Sequence, residues 1–422
     1  MKILWITNIL FPEAEQLLNG AGELKATGGW MLGAANALLQ NKDVKLTIAS
    51  VSVKVCKLTK LEGHDIQYYI LPMGKGNMDF NMEYCKYWQQ VKNDVNPDVV
   101  HIHGTEFSHG YAYMSACGCD NVVISIQGLT SAYYYYYYGM TKKDIYRNLT
   151  FRDIIRGSIL SGQKQFKQRA AYEIEMIKNA KHIIGRTSWD KARVWAINPN
   201  AKYHFCNETL RSDFYDGSRW IYNKCDKHSI FLSQAGYPIK GLHQVLKAMP
   251  FILRHYPDTS IRIAGADITK SSTLSEKLRL SGYGRYIKRL INKNALEDKV
   301  TFTGSLNGEQ MKQEYLRTNV FVCPSTIENS PNSLGEAQIL GTPCIASYVG
   351  GIPDMMKGNE ENLYRFEEVE MLAEKVCRVF TDAENQIDMH VIAAERHKPD
   401  TNCIKLYSVY ELIRKGHENV EN

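Results

Sequence analysis

No apolar run in the 422-residue chain approaches the roughly 18 residues that a membrane-crossing helix needs. The apolar opening is cut short by Pro12, Glu13 and Glu15, so it reads as a first strand rather than a secretory leader. The ten cysteines are scattered, with no C-x-x-C pair and no histidines at zinc spacing, and Cys117 and Cys119 stand too close together for a zinc knuckle. Free thiols in a reducing compartment are the expectation. No strand is followed directly by G-x-G-x-x-G and a matching acidic residue, which argues against a dinucleotide dehydrogenase. No Asp-x-Asp pair sits at a suitable strand end to hold a metal. A net charge of +6 is too small to imply a nucleic-acid partner.

Tyrosine is abundant. There are 26, six of them in the unbroken run Tyr133 to Tyr138. The run leads into a basic stretch, 140–170, where eight lysines and arginines face only Asp144 and Asp153. Aliphatic residues are interleaved with these charges, as on an amphipathic surface element. Two readings fit: a solvated helix face over the core, or a contact surface for anionic lipid headgroups or a phosphorylated acceptor. The tyrosines fit a loop facing an acceptor or a membrane, and equally a packing role.

Length alone favours two domains. Short apolar runs alternate with longer amphipathic ones: Ile3 to Thr7, Leu46 to Ser50, Asp98 to Ile102, Val122 to Ile126 and His182 to Ile184 read as strands. A polar, turn-rich segment then interrupts the pattern. A second series follows, with strands near Ser229 to Ser233, Ile261 to Ala264, Val300 to Phe302, Val320 to Cys323 and Pro343 to Ala346. Helices are expected at Lys240 to His255, Ser275 to Asn294, Gly308 to Arg317 and Asn332 to Leu340. The alternation predicts an α/β protein with two Rossmann-like parallel-sheet domains, 1–206 and 229–400, joined by a linker at 207–228. Ligands bind at the carboxyl ends of such strands, so a cleft between the facing domains is the expected site.

Four elements carry chemistry. The block from Glu328 to Glu336 sets two carboxylates around a strand-loop-helix turn. Backbone N–H groups at Asn332, Ser333 and Leu334 would point out of that helix start toward a diphosphate. Glu336, placed in the first turn, could accept hydrogen bonds from a ribose diol, and Glu328 could reach a sugar hydroxyl. Complementing the helix dipole and capping a turn are the plainer alternatives. Lys240, before Gly241 at a helix start, would be well placed against pyrophosphate; an ordinary exposed lysine is the plainer alternative. Gly28 and Gly29 would let backbone approach a phosphate, and a plain turn explains them equally well; Val349 to Asp354 forms a glycine turn after a strand.

In this order and spacing, together with Gly341-Thr-Pro-Cys-Ile-Ala-Ser347, the four elements resemble glycosyltransferase family 4 (the group 1 glycosyltransferases), which have the GT-B fold. The resemblance covers nearly the whole chain. It implies a retaining, metal-independent glycosyltransferase that needs no cofactor beyond its nucleotide-sugar substrate, with a UDP-sugar as the expected donor. Glu336 would hold the donor ribose, Glu328 would lie against the sugar, Lys240 would contact the diphosphate, and Gly29 would approach it from the first domain. A C-terminal helix near 401–416 would pack back on the first domain. The sequence departs from the family pattern twice. Gln234-Ala235 stands where Gly-Arg is common, which leaves Lys240 to work alone or with a cation such as Arg186. Gln127 stands where a histidine is common; it can donate to a sugar hydroxyl but cannot act as acid or base.

His101 and His103 fall on one face of a strand. His101 reads as a satisfied core histidine. His103, with Glu106 and Arg186, is assigned to the acceptor side. The expected acceptor is a carbohydrate or lipid-linked oligosaccharide in cell-surface polysaccharide synthesis. The expected location is cytoplasmic, at most peripheral on the inner membrane face. A non-catalytic nucleotide-sugar-binding scaffold and a GT-B epimerase or phosphorylase are the rivals.

Overall fold

The computed structural model describes residues 1–20, 29–72, 80 and 82–421. The chain forms two compact units, 1–132 with 166–211 and 397–422, and 133–165 with 212–396.

The first unit holds eight strands: β1 (Lys2–Thr7), β2 (Lys45–Ser52), β3 (Thr59–Glu62), β4 (Ile66–Pro72), β5 (Val99–His103), β6 (Val122–Ser125), β7 (His182–Gly185) and β8 (Lys202–Phe205). Their order across the sheet is β3-β4-β2-β1-β5-β6-β7-β8. All neighbours are parallel except β3 and β4. The second unit holds β9 (Asp226–Leu232), β10 (Ser260–Ile263), β11 (Val300–Phe302), β12 (Thr318–Cys323), β13 (Cys344–Ser347) and β14 (Leu363–Tyr364). Its order is β11-β10-β9-β12-β13-β14, all parallel. The central strand β12 is buried end to end, Thr318 to Cys323 throughout, as expected of a parallel sheet covered on both faces. Strands β3, β4, β8 and β14 escaped the sequence reading.

The helix Pro399–Glu421 belongs with the first unit. Tyr410 is fully buried there, accepts a hydrogen bond from Trp5 Nε1 at 3.0 Å, and shares another with His101 Nδ1 at 2.6 Å. His101 Nε2 meets Ser125 Oγ at 2.5 Å, so both of its ring nitrogens are satisfied.

The structure departs from the sequence reading in several places. The expected linker 207–228 is not a separate segment: 207–211 group with the first unit and 212–228 with the second. Residues 133–165 group with the second unit instead of the first domain. They are held by backbone carbonyls that the sequence pattern does not reveal: Tyr136 O accepts from Thr326 Oγ1 at 3.2 Å, and Leu149 O accepts from Arg285 at 3.1 Å. The single helix expected over Ser275 to Asn294 is two, Leu274–Arg279 and Gly282–Lys293. Leu280 is extended there, and Ser281 caps the second helix by accepting from Gly284 N at 3.0 Å. The basic stretch 140–170 is likewise not one element. It divides into Lys142–Arg147, Phe151–Arg156 and the start of Ile159–Asn179.

Candidate functional site

In the second unit, β12 delivers a loop from Pro324 to Pro331 that carries Glu328 ahead of the helix Asn332–Ile339. Two glycine turns clamp this loop. Gly241 has φ +72°, and a Cβ on it would lie 1.6 Å from the Pro324 carbonyl oxygen. Gly350 has φ +52°, and a Cβ there would lie 1.9 Å from the Glu328 carbonyl oxygen. Only glycine fits either place, and each leaves room for hydrogen bonds: Thr326 N donates to Ile239 O at 2.8 Å, and Gly351 N to Glu328 O at 3.0 Å. Gly241 and Gly350, each part of a motif read in the sequence, thus approach protein backbone and fix the loop.

Within this frame Lys240 Nζ meets Glu328 Oε1 at 2.5 Å, and Ser325 Oγ donates to the same oxygen at 3.0 Å. The two side chains are only 20% and 10% exposed. Burial by itself would lower the Lys240 pKa, but the Glu328 charge and Tyr237 outweigh it and hold the ammonium above its ordinary value. A charge-assisted hydrogen bond of this kind holds the Lys240 ammonium in a site largely closed to water. Lys240 ends a 3₁₀ turn, Pro238–Lys240, and the α-helix begins only at Leu242 because Gly241 adopts the left-handed conformation.

Glu336 is the fifth residue of its helix, one turn further in than the first-turn expectation. It is 5% exposed and accepts from Tyr315 Oη at 3.4 Å. Of the three N–H groups assigned to a diphosphate, Leu334 N already donates to Pro331 O at 3.0 Å. Asn332 and Ser333 supply the first N–H groups of the helix, which the intrahelical ladder cannot use.

The tyrosine run ends against the same turn, a neighbour that the sequence did not suggest. Gly139 has φ +59°, and a Cβ there would fall 2.7 Å from Pro238 O and 2.9 Å from Thr326 Cγ2. His243 Nε2 lies 2.5 Å from Gly139 O. A carbonyl can only accept, so Nε2 carries the proton and Nδ1 accepts from Tyr283 Oη at 3.2 Å. Burial pushes the His243 imidazole down to about 3, which keeps it neutral.

In the first unit the candidate residues gather at the carboxyl ends of β5 to β8. Arg186 Nη1 pairs with Glu208 Oε2 at 2.6 Å, and Arg186 Nη2 donates to the carbonyls of Ile126 and Gln127, each at 3.1 Å. Gln127 Nε2 donates to Glu208 Oε1 at 2.8 Å. Arg186 is therefore matched by a buried carboxylate and is not a spare cation, and the Gln127 amide is already engaged. Glu208 went unnoticed because it lies in the polar segment read as linker. Recognising β8 would have placed it at a strand end with the others.

Glu106 Oε1 accepts from Gly128 N at 3.0 Å, while its Oε2 is buried without a hydrogen-bond partner. Burial, reinforced by the charge of Glu173, pushes the carboxyl up to about 7. His103 is 4% exposed; neither ring nitrogen has a hydrogen-bond partner, and burial pushes it down to about 3. It lines a cavity of about 50 Å³ together with Trp30, Ser125, Arg186, Cys206 and Asn207. Among the described residues no three His, Cys, Asp or Glu side chains gather as a metal site. Gly28 lies outside the described residues, and Gly29 opens the helix Gly29–Leu39.

Residues 218–396, which hold the Lys240–Glu328 pair, match the family model described as "Glycosyl transferases group 1". An uncharacterised glycosyltransferase of Methanocaldococcus jannaschii is 27% identical over 158 residues, 37% of this chain and 36% of that protein. The phosphatidylinositol N-acetylglucosaminyltransferase gpi3 subunit of Schizosaccharomyces pombe is 30% identical over 184 residues, 44% of this chain and 36% of that protein. The chain thus matches little more than a third of the length of these curated relatives. In overall fold it is similar to sucrose-phosphate synthase from Thermosynechococcus elongatus (TM-score 0.69, 15% identity, 98% of each chain). It is also similar to Anabaena HepE in complex with UDP-glucose (TM-score 0.61, 14% identity, 97% of this chain and 99% of that one). Two parallel-sheet, Rossmann-like units make this the GT-B fold.

Proposed function

We propose that the chain is a retaining glycosyltransferase that moves a sugar from a nucleoside-diphosphate sugar to an acceptor hydroxyl without a metal ion. The observation that carries this reading is the buried Lys240–Glu328 pair on a loop clamped by two glycine turns. In the proposed reaction the bond between the anomeric carbon and the phosphate oxygen breaks. The acceptor oxygen bonds to the same face of the sugar, and its proton passes to the departing phosphate. Lys240 and the N–H groups that begin the helix at Asn332 and Ser333 offset the charge that develops on the diphosphate. Glu328 accepts a sugar hydroxyl while keeping Lys240 ionised, and Glu336 accepts the ribose diol. UDP is the nucleotide we favour, because HepE, a relative in fold, binds UDP and UDP-glucose.

The acceptor is assigned to the first unit, with His103 and Glu106 as polar groups toward it and the Arg186–Glu208–Gln127 network holding the turn that follows β6. A lipid-linked or cell-surface saccharide is the acceptor class we favour. The names of two similar proteins support it: gpi3 is a subunit of a phosphatidylinositol N-acetylglucosaminyltransferase, and WaaG is involved in lipopolysaccharide biosynthesis. The test needs no known acceptor. Many transferases hydrolyse their donor slowly, so the anomer first released from UDP-glucose is read by proton NMR with EDTA present. Release of the donor's own anomer supports the proposal. The opposite anomer, or activity abolished by EDTA and restored by a divalent ion, refutes it.

A further inference from the structure

In the second unit the short helix Phe151–Arg156 is turned inside out. Its polar Asp153 is buried, while Phe151, Ile154 and Ile155, spaced to share one helix face, are 61%, 80% and 65% exposed. The helix Leu274–Arg279, more than a hundred residues away in sequence, packs beside it, and Thr150 Oγ1 ties the two by donating to Leu280 O at 2.8 Å. That helix buries none of its residues, and its Leu274 and Leu278, one turn apart, are 75% and 50% exposed. Tyr146, on the preceding helix Lys142–Arg147, adds a further aromatic at 59%.

Exposed lysines and arginines accompany these side chains: Lys142, Lys143, Arg147, Arg156, Lys277 and Arg279. The three helices carry three acidic residues, and each is held by its own helix start. Asp144 accepts from Thr141 Oγ1 at 2.6 Å, Asp153 accepts from Thr150 N at 3.1 Å, and Glu276 accepts from Thr273 N at 3.1 Å. The outward charge is therefore cationic.

We propose that this face, built from 142–156 and 274–279, docks on the surface of an anionic lipid bilayer. Large apolar side chains that project from short helices, among cations, suit insertion between headgroups; the cations meet lipid phosphate. The inference does not rest on the assigned enzymatic activity. It differs from the sequence reading in two respects: 159–170 plays no part, and a remote helix completes the face.

The full chain would be co-sedimented with vesicles of phosphatidylcholine alone and with vesicles containing a quarter phosphatidylglycerol. Binding to the anionic vesicles only is expected. It should fall by about tenfold or more in Ile154→Ser/Ile155→Ser/Leu278→Ser, and separately in Lys142→Ser/Lys143→Ser/Lys277→Ser. Circular dichroism melting confirms that both variants remain folded, which the exposure of these positions favours. No binding by the parent, equal binding to both vesicle types, or binding unaffected by the apolar substitutions overturns the proposal. Association with polyglutamate that survives the apolar substitutions would instead mark a surface for an acidic protein, and would overturn it too.

Discussion

The charged residues of the first unit depend on one another more closely than their spacing suggests. Glu208 balances Arg186 at 2.6 Å, with the two side chains 11% and 5% exposed. Glu208→Ala would strand a buried guanidinium, at a cost of roughly 3–5 kcal/mol. Urea denaturation should show that loss as a lower midpoint with an unchanged slope; a shift too small to measure would mean that water already solvates Arg186. Glu106 gives a pH-dependent counterpart. Its carboxyl sits at about 7 in the folded chain against an ordinary 4.5. The fold therefore favours the protonated form. That contribution is fully present below the unfolded value and is lost as pH rises through about 7. Glu106→Gln should gain on the parent between about pH 5 and pH 8, by at most about 3 kcal/mol. Parallel melting temperatures of the two proteins across that range would contradict the assignment.

At this scale the sequence was half legible. Lys240, Glu328 and Glu336 stand in short ordered motifs whose spacing already implies a loop and a helix start. Glu208 and the bond from His101 to Tyr410 do not, because their partners are remote in sequence: Glu208 and Gln127 lie 81 positions apart, and His101 and Tyr410 lie 309.

Among elements, the loop that carries Glu328 depends on what surrounds it. Gly241 and Gly350 touch its backbone on either side, and the end of the tyrosine run at Gly139 presses on the turn that carries Lys240. Gly350→Ala should therefore act on the site as well as on stability. Its Cβ would overlap Glu328 O, and relief requires the loop to shift. A destabilisation of about 1–3 kcal/mol is expected, together with a larger loss of donor turnover than of donor binding. Wild-type turnover in that variant would show that the loop tolerates displacement. Ten of the fourteen described strands, and the helices Gly308–Arg317 and Asn332–Ile339, were readable because their apolar periods are local. The break at Leu280 and the docking of 133–165 were not, since a capping serine and a few carbonyl bonds decide them.

For the whole molecule, the alternation of strands and helices was enough to give two parallel sheets, and the solved structures similar in fold agree with that architecture. The path of the chain between the two units was not readable. It enters the second unit at Tyr133, returns at Phe166, enters again at Ser212 and returns at His397. Hydrophobic pattern records whether a residue is buried, and is silent about which core buries it. The matched segment 218–396 lies wholly within the 212–396 segment of the second unit, where the proposed donor residues also lie. The most direct test of that donor assignment is calorimetric titration of UDP into the parent and Glu336→Ala, each with and without EDTA. The assignment predicts saturable, EDTA-insensitive binding by the parent, weakened by roughly 1–3 kcal/mol in the variant. Identical affinity in the two proteins, or no binding of any nucleoside diphosphate by well-folded parent, would contradict it.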